Sequence, residues 1–307
     1  MIDILMATCN GEKFIKEQLD SIISQSYSDW RLIISDDCSK DNTVNIIKIY
    51  QEQYSDKILL FENDVPSGSA QNNFFNAIKY ATSSYVMFSD QDDVWLPDKI
   101  QNTLKKMIEV EREIGENTPV LIHTDLKVVD RNLNRINDSL FEMMNMDNKR
   151  CAFNNLLVQN IVTGCTLMTN RALLNYLTKI PRNAVMHDMW IALIASAFGK
   201  IGFVDQSTML YRQHGSNSVG AKNTKSLNYI LYKIFHAKEI HNSLVKQYKQ
   251  ADEFREIYGG ILSERQLSML QSYGSFEKKN FLEKYKELKK FNLFKNSKIQ
   301  ILGQIFR

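Results

Sequence analysis

The densest group of chemically capable residues is Asp90-Gln91-Asp92-Asp93, which follows Tyr85-Val86-Met87-Phe88 and precedes Val94-Trp95-Leu96-Pro97. Carboxylates gathered where a strand stops are costly unless water or cations compensate them. A hard divalent cation such as Mg²⁺ takes oxygen ligands, keeps several waters and bridges one or two carboxylates to substrate phosphates. Such an ion also offsets the charge that develops on a departing diphosphate. The competing reading is an Asx-rich turn that caps the next helix, with Pro97 suited to an early helical position.

Five other places carry candidate groups. Asp36-Asp37 could accept hydrogen bonds from a nucleobase imide or a ribose hydroxyl, although Ser39 and Asp41-Asn42-Thr43 also read as local turn and helix-capping residues. Thr8 and Asn10 follow their strand in the same way, and the run Gly68 to Asn73 could close over a donor or simply begin a helix. His187-Asp188 opens an apolar window with Trp190 nearby. A sugar hydroxyl has a very high pKa, so its oxygen needs a base within reach as it attacks, and partial burial would raise the pKa of Asp188 toward that task. The bland reading of Asp188 is a helix cap or first-turn residue. In Tyr211-Arg212-Gln213-His214, His214 is a candidate metal or diphosphate ligand and Arg212 could face phosphate or a carboxylate; a lone histidine is more often structural.

These residues acquire a site only through the elements that carry them. Residues 2–7, 30–34, 57–62 and 85–88 are short apolar runs. Between them Phe14, Ile15, Leu19, Ile22 and Ile23, then Val44 and Ile47, then residues 71–80, recur at helical spacing. Strands alternating with helices imply βαβ units and a mostly parallel α/β sheet, in which ligands gather at the carboxyl ends of the strands. Segments 8–11, 35–41 and 89–93 each follow such a strand, so one rim collects all three.

A second portion opens near Pro119. Residues 120–125 read as a strand, 160–168 as a strand or strand pair, 171–177 as a helix, 186–198 as a buried helix, and 201–204 and 208–211 as short strands. From about residue 223 onward long helical periods dominate. The division expected is therefore an α/β region over 1–220, in two parts (1–118 and 119–220), and a basic helical region over 221–307.

At 307 residues, 44% apolar and 24% charged, the chain has the composition of an ordinary globular protein. A formal net charge of +3 is too small to argue for a nucleic-acid partner. The start of the chain does not read as a secretory signal, and no run of about 18 apolar residues suggests a membrane span. Cys9, Cys38, Cys151 and Cys165 form no C-x-x-C pair, which favours unpaired thiols in a reducing cytoplasm. Between Phe276 and Lys298 there are eight lysines and three glutamates with interspersed aromatics. This is either a solvated face or a helix lying on anionic lipid, a peripheral contact with the inner face of the cell membrane.

The ordered set ATCNG, SDDCSKDNT, GSAQNNF, SDQDDVW, HDMW and YRQHGSN resembles the bacterial family 2 glycosyltransferases, in particular the branch that includes rhamnosyltransferases of polysaccharide and O-antigen synthesis. The resemblance covers residues 1 to about 220 and implies a catalytic domain there, with a nucleotide-binding part (1–118) and an acceptor-binding part (119–220). It implies a GT-A fold, a mostly parallel central sheet flanked by helices, and an inverting, non-processive transfer that depends on Mn²⁺ or Mg²⁺. By that resemblance Thr8, Asn10, Asp36 and Asp37 match nucleoside-binding positions, and Asn73 falls in the donor-facing run. Asp90 and Asp92 match the D-x-D pair, with Asp92 in direct metal contact, joined by His214 as a ligand and Arg212 on the donor. Asp188 matches the catalytic base, although the commoner pattern has Glu-Asp where this chain has His187-Asp188. The processive synthases usually carry Q-x-x-R-W and membrane spans, and this chain has neither motif nor span pattern. The donor implied is dTDP-L-rhamnose, with a UDP-sugar as the alternative, and the acceptor a saccharide or lipid-linked saccharide. Two rivals make different demands. A sugar nucleotidyltransferase would want a basic glycine-rich loop after the first strand, of which Asn10-Gly11-Glu12-Lys13 is a poor version. A non-catalytic carbohydrate-binding protein would lose one of the acidic centres, and all are present.

Overall fold

The structure is a computed structural model that describes residues 1–177, 179–215 and 236–306. Its framework is one sheet. The strands are β1 (Ile2–Thr8), β2 (Trp30–Asp36), β3 (Ile58–Glu62), β4 (Tyr85–Asp90), β5 (Val94–Trp95), β6 (Val120–Asp130), β7 (Arg135–Asn137), β8 (Met168–Asn170) and β9 (Lys200–Gln213). They run in the order β3-β2-β1-β4-β8-β6-β9-β5, with β7 paired to β6.

β1 is buried along its whole length because parallel partners flank it and both sheet faces are covered, as its near-continuous apolar run requires. The acidic interruption in that run, Asp3, is neutralised in place. Arg31 on β2 grips both its oxygens at 3.0 and 3.1 Å, and the backbone N–H groups of Thr82 and Ser83 donate to it at 2.7 and 2.9 Å. The helices α1 (Ile15–Ile23), α2 (Thr43–Gln53), α3 (Ala70–Ile78) and α4 (Lys99–Ile114) fill the connections. α3 packs on β1 and β2, and α4 on β6 and β9.

The expectation of a mostly parallel sheet is corrected beyond β4. β3, β2, β1 and β4 are parallel, but β8 runs antiparallel to both β4 and β6, and β5 and β7 are also antiparallel to their partners. β6 and β9 return to parallel pairing. The stretch expected as a strand or strand pair over 160–168 folds instead as a 3₁₀ turn (Gly164–Thr166) that feeds the three-residue β8. So short a strand needs no helical crossover to join its neighbours, and antiparallel insertion is open to it. Asn170 at its end locks the junction. Its Oδ1 accepts from the N–H of Val120 and of Leu173, and its Nδ2 donates to Glu111 and the Thr118 carbonyl. The two short strands expected over 201–211 form one strand, β9, whose register against β6 shifts around Asp125; the polar residues Asp205–Ser207 lie at that irregularity.

The chain divides into two compact units. The first comprises Met1–Leu140, Val162–Ile180 and Gly199–Ala221, and the second Phe141–Ile161, Pro181–Phe198 and Lys222–Arg307. This differs from a single cut at residue 220, because two segments of the expected acceptor-binding part share a core with the tail. Following α5 (Leu140–Met144), α6 (Phe153–Val158) and, after α7 (Arg171–Leu174) in the first unit, α8 (His187–Phe198) belong with the helices Ala237–Tyr258, Glu264–Gly274, Phe281–Phe291 and Lys298–Phe306. α8 is apolar nearly all round, so it must be covered on every side. Its Trp190 meets Phe254 edge-on at 5.2 Å, Phe254 meets Phe153 at 5.8 Å, and Gln250 accepts from the N–H of Val185 at 2.8 Å. No helix among the described residues is long and apolar enough to cross a membrane.

Candidate active site

The carboxyl ends of β1, β2 and β4 bring three loops to one rim of the first unit. After β1, Thr8 donates through Oγ1 to Asp36 at 2.8 Å. The same carboxylate accepts from the Ser39 N–H at 2.8 Å and the Ser39 hydroxyl at 2.6 Å. Both Thr8 and Asp36 are buried, so they shape the loops from behind. Asp37 donates its N–H to the Thr8 carbonyl, and its carboxylate holds Ser67 through N–H and hydroxyl and Asn63 through its amide. Asn10 adopts a left-handed conformation (φ 51°), takes the Ser39 hydroxyl as acceptor for its N–H, and accepts from the Lys40 N–H at 2.8 Å. Asn73 on α3 is buried. Its amide donates to the carbonyls of Ser35 (2.8 Å) and Thr8 (3.2 Å), while its Oδ1 accepts from Ser35 Oγ (2.6 Å) and Asn63 (3.1 Å). It is the brace between the ends of β1 and β2.

Gln91 joins this pair of loops to the acidic one. It exchanges two hydrogen bonds with the backbone of Cys9, accepting at 2.9 Å and donating at 3.0 Å, as a neighbouring strand would. A Cβ on Gly11 would lie 2.3 Å from Gln91 Oε1, so only glycine leaves room for that amide.

Within the acidic loop the carboxylates differ in kind. Asp90 and Asp92 are partly exposed, whereas Asp93 is fully buried. Burial, with Asp92 and Asp90 adding to it, pushes the Asp93 carboxyl well above the usual carboxylate range. Its Oδ1 accepts from the Arg212 N–H at 3.1 Å. Burial also pushes the neighbouring Cys165 thiol up, and buried Lys99 is pushed down to about 8 by loss of water. Asp90, Asp93 and Cys165 each bring one ligand atom into a group within 4.8 Å, a potential metal-binding cluster. Its thiol is soft and burial disfavours the charged form of its inner carboxyl, whereas Asp90 and Asp92 are partly exposed carboxylates, the hard-oxygen kind that Mg²⁺ or Mn²⁺ takes.

The end of β9 fixes Asp92. His214 Nε2 lies 2.6 Å from Asp92 Oδ2, with its ring 4.7 Å from that of Phe14. The buried guanidinium of Arg212 donates to the Asp92 carbonyl at 2.7 Å, to the Arg131 carbonyl at 2.7 Å and to Glu17, and lies over the same Phe14 ring at 4.7 Å. Arg212, expected on the donor, thus has its fork engaged by the protein. The motif's last residues, Ser216 and Asn217, lie outside the described residues. Phe14, Glu17 and Gln91 complete this constellation, although nothing in the sequence marks them as site residues. The first two read as ordinary positions on a helix face, and their contacts with β9 span nearly the whole first unit.

Asp188 belongs to the second unit, as the second residue of α8. It is half-buried and its Oδ1 accepts from the Met189 N–H at 2.5 Å, a first-turn arrangement. Its neighbour His187 is buried, and desolvation lowers its pKa to about 3. The imidazole is therefore neutral at ordinary pH.

Comparison with known proteins adds three findings. Residues 3–177 match the family model described as Glycosyl transferase family 2. The dTDP-rhamnosyl transferase RfbG of Shigella flexneri is 32% identical over 230 residues, 70% of this chain and 74% of that protein. The UDP-Glc:alpha-D-GlcNAc-diphosphoundecaprenol beta-1,3-glucosyltransferase WfgD of Escherichia coli is 27% identical over 177 residues, 57% of this chain and 62% of that one. Among solved structures, S. aureus TarS 1-349 in complex with UDP-GlcNAc superposes with a TM-score of 0.56 over 92% of this chain and 83% of that one. At 15% identity, that likeness speaks to fold.

Proposed function

This chain belongs to the family 2 glycosyltransferases, and we propose that it has the GT-A fold and moves L-rhamnose from dTDP-L-rhamnose, with inversion and one residue at a time, onto a saccharide or lipid-linked saccharide acceptor. The observation that carries this reading is the carboxylate loop at the end of β4, tied by Gln91 to the loop after β1 and by Arg212 to β9. The rhamnose donor is supported by RfbG, a dTDP-rhamnosyl transferase that this chain matches over most of its length. A UDP-sugar donor is the second reading, and WfgD, a UDP-Glc enzyme with a diphosphoundecaprenol-linked acceptor, favours it and also the lipid-linked acceptor. We place the reaction in the cytoplasm, where the unpaired thiols of Cys9, Cys38, Cys151 and Cys165 stay reduced.

In this reading Asp37 and Asn10 line the nucleoside, while Thr8, Asp36 and Asn73 hold the loops that present them. Asp90 and Asp92 fit a hard divalent cation, Mn²⁺ or Mg²⁺, with His214 beside Asp92. When bound, the cation would supply charge neutralisation for the diphosphate that leaves. Asp188 accepts the proton of the acceptor hydroxyl as its oxygen forms a bond to the anomeric carbon. The bond from that carbon to the diphosphate oxygen breaks on the opposite face, and the nucleoside diphosphate departs with the electron pair. Arg212 acts at one remove, by fixing Asp92 and Asp93.

The test is a thermal-shift screen of the purified protein against UDP, dTDP, GDP and CMP with Mn²⁺, Mg²⁺ or EDTA. A ligand bound only by the native state raises its stability, by about 2.7 kcal/mol at a hundred times Kd. The rhamnose reading expects a metal-dependent shift with dTDP that Asp92→Asn weakens. A shift confined to UDP moves the assignment to the second reading. Shifts that EDTA leaves untouched remove the metal from the proposal.

A further inference from the structure

Two helices of the second unit turn apolar side chains to the outside. Phe281, Leu282 and Tyr285 are exposed on the helix Phe281–Phe291, and Ile299, Leu302 and Phe306 on the helix Lys298–Phe306. Phe306 is 69% exposed and Leu282 56%, values that belong to polar surface residues in an ordinary fold. On the second helix the spacing is i, i+3, i+7, which draws one stripe. The usual pattern is inverted there. Its buried residue is Gln304, which accepts from the Lys295 N–H at 2.9 Å and donates to the Leu293 carbonyl at 3.0 Å. Phe281 and Phe306 stack with centroids 6.1 Å apart, so the two helices present a continuous patch.

The patch sits on a firm base. Leu288, Phe291 and Leu293 are buried, a capping box between Asn280 and Glu283 starts the first helix, and Asn292 ends it in a left-handed conformation. The surrounding charge is one-sided. Glu283 is committed to the Asn280 N–H and Glu287 to the Ser272 hydroxyl. Lys286, Lys289, Lys290 and Lys298 are exposed, and no ion pair among the described residues uses them. Lys286 and Lys289 lie one helical turn beyond Leu282 and Tyr285, so the cationic and apolar groups share a face. A second copy docked on this patch by twofold symmetry would set lysines against lysines. An anionic bilayer complements both features at once, since acyl chains take the apolar side chains and headgroup phosphates take the ammonium groups.

We propose that this patch docks the protein on an anionic lipid surface. Phe281, Leu282, Ile299, Leu302 and Phe306 enter the interface, and Lys286, Lys289, Lys290 and Lys298 engage the phosphates. This goes beyond the transferase reading and is tested without it. The full chain is floated with vesicles of phosphatidylcholine alone or mixed with phosphatidylglycerol, at low and high salt. Binding to the mixed vesicles only, weakened by salt, is expected. Lys286→Gln with Lys289→Gln and Lys290→Gln should weaken it on the order of a hundredfold, and Phe281→Ser with Phe306→Ser should abolish it. All these side chains are exposed, so an unchanged melting temperature shows that each variant folds. In the chain carrying Phe306→Trp, the new indole should shift its emission to the blue on the mixed vesicles. The proposal is overturned if the full chain stays in buffer at low salt. It is equally overturned if the serine variant binds as well as the parent, which would mean adsorption by charge alone. A concentration-dependent dimer in sedimentation velocity that the serine variant abolishes would assign the patch to a second copy instead.

Discussion

Arg212 shows how much of the acidic loop can rest on one buried side chain. Its N–H holds Asp93, and its guanidinium divides among the carbonyls of Asp92 and Arg131 and the carboxylate of Glu17 while lying on Phe14. A planar fork can serve such divergent acceptors, and a lysine ammonium cannot, because it is a single point at the end of a flexible stem. Arg212→Lys should therefore keep the charge and lose the placement of Asp92. We expect kcat/KM for sugar transfer to fall by about ten- to a hundredfold, equivalent to roughly 1.4–2.7 kcal/mol of transition-state stabilisation. The loss should fall mainly on kcat, with the melting temperature lowered by only a few degrees. Steady-state kinetics with varied donor, beside a melting curve, checks this. Unchanged kcat would show that the guanidinium serves only the fold.

At the scale of elements, α3 controls the rim through Asn73. The side chain ties the carbonyls at the ends of β1 and β2 together and receives Ser35 and Asn63. Asn73→Ala leaves those buried groups without partners, which costs about 2 kcal/mol or more. It should also raise KM for the nucleotide sugar more than it lowers kcat, since the loops it frees carry Asn10 and Asp37; urea midpoints and donor titrations measure the two effects. The strands β1 to β4 and the convergence of their loops were legible in sequence, because apolar runs ending in Asp, Asn and Gly fix both the strand and its polar rim. The antiparallel insertion of β8 was not. Asn160–Met168 mixes apolar residues with threonines and shows no clean alternation, and periodicity cannot separate a buried 3₁₀ turn from a buried strand. The join of residues 201–211 into one β9 was hidden by Asp205–Ser207, whose polarity reads as a loop but follows from the register shift against β6. Nor could spacing reveal that Asn73 and Arg212 face inward, since both roles use the same donors that a ligand would take.

For the whole molecule, each compact unit encloses one histidine that folding keeps neutral. His123 on β6 lies beside Phe203 at 4.9 Å in the first unit, and His187 opens α8 in the second. Burial lowers both from 6.5 to about 3. Above pH 6.5 neither state of the chain protonates them, so stability there is independent of these residues. Below it the unfolded chain binds protons that the native protein refuses, and stability falls as the pH drops toward the native value. The slope for each histidine is half its limit at pH 6.5 and approaches about 1.4 kcal/mol per pH unit below it, so between pH 6.5 and pH 5 the pair removes about 3 kcal/mol. The buried Asp93 carboxyl acts with the opposite sign in that window, since the native state takes up its proton before the unfolded chain does, so the histidine contribution is read from the difference between two chains. Denaturant-derived stabilities at closely spaced pH values should fall less steeply from pH 6.5 to pH 5 in His123→Leu, which keeps an apolar side chain in the same space, than in the parent, by about 1.7 kcal/mol over that window. Identical profiles in the two chains would mean that the His123 ring is not held neutral by burial.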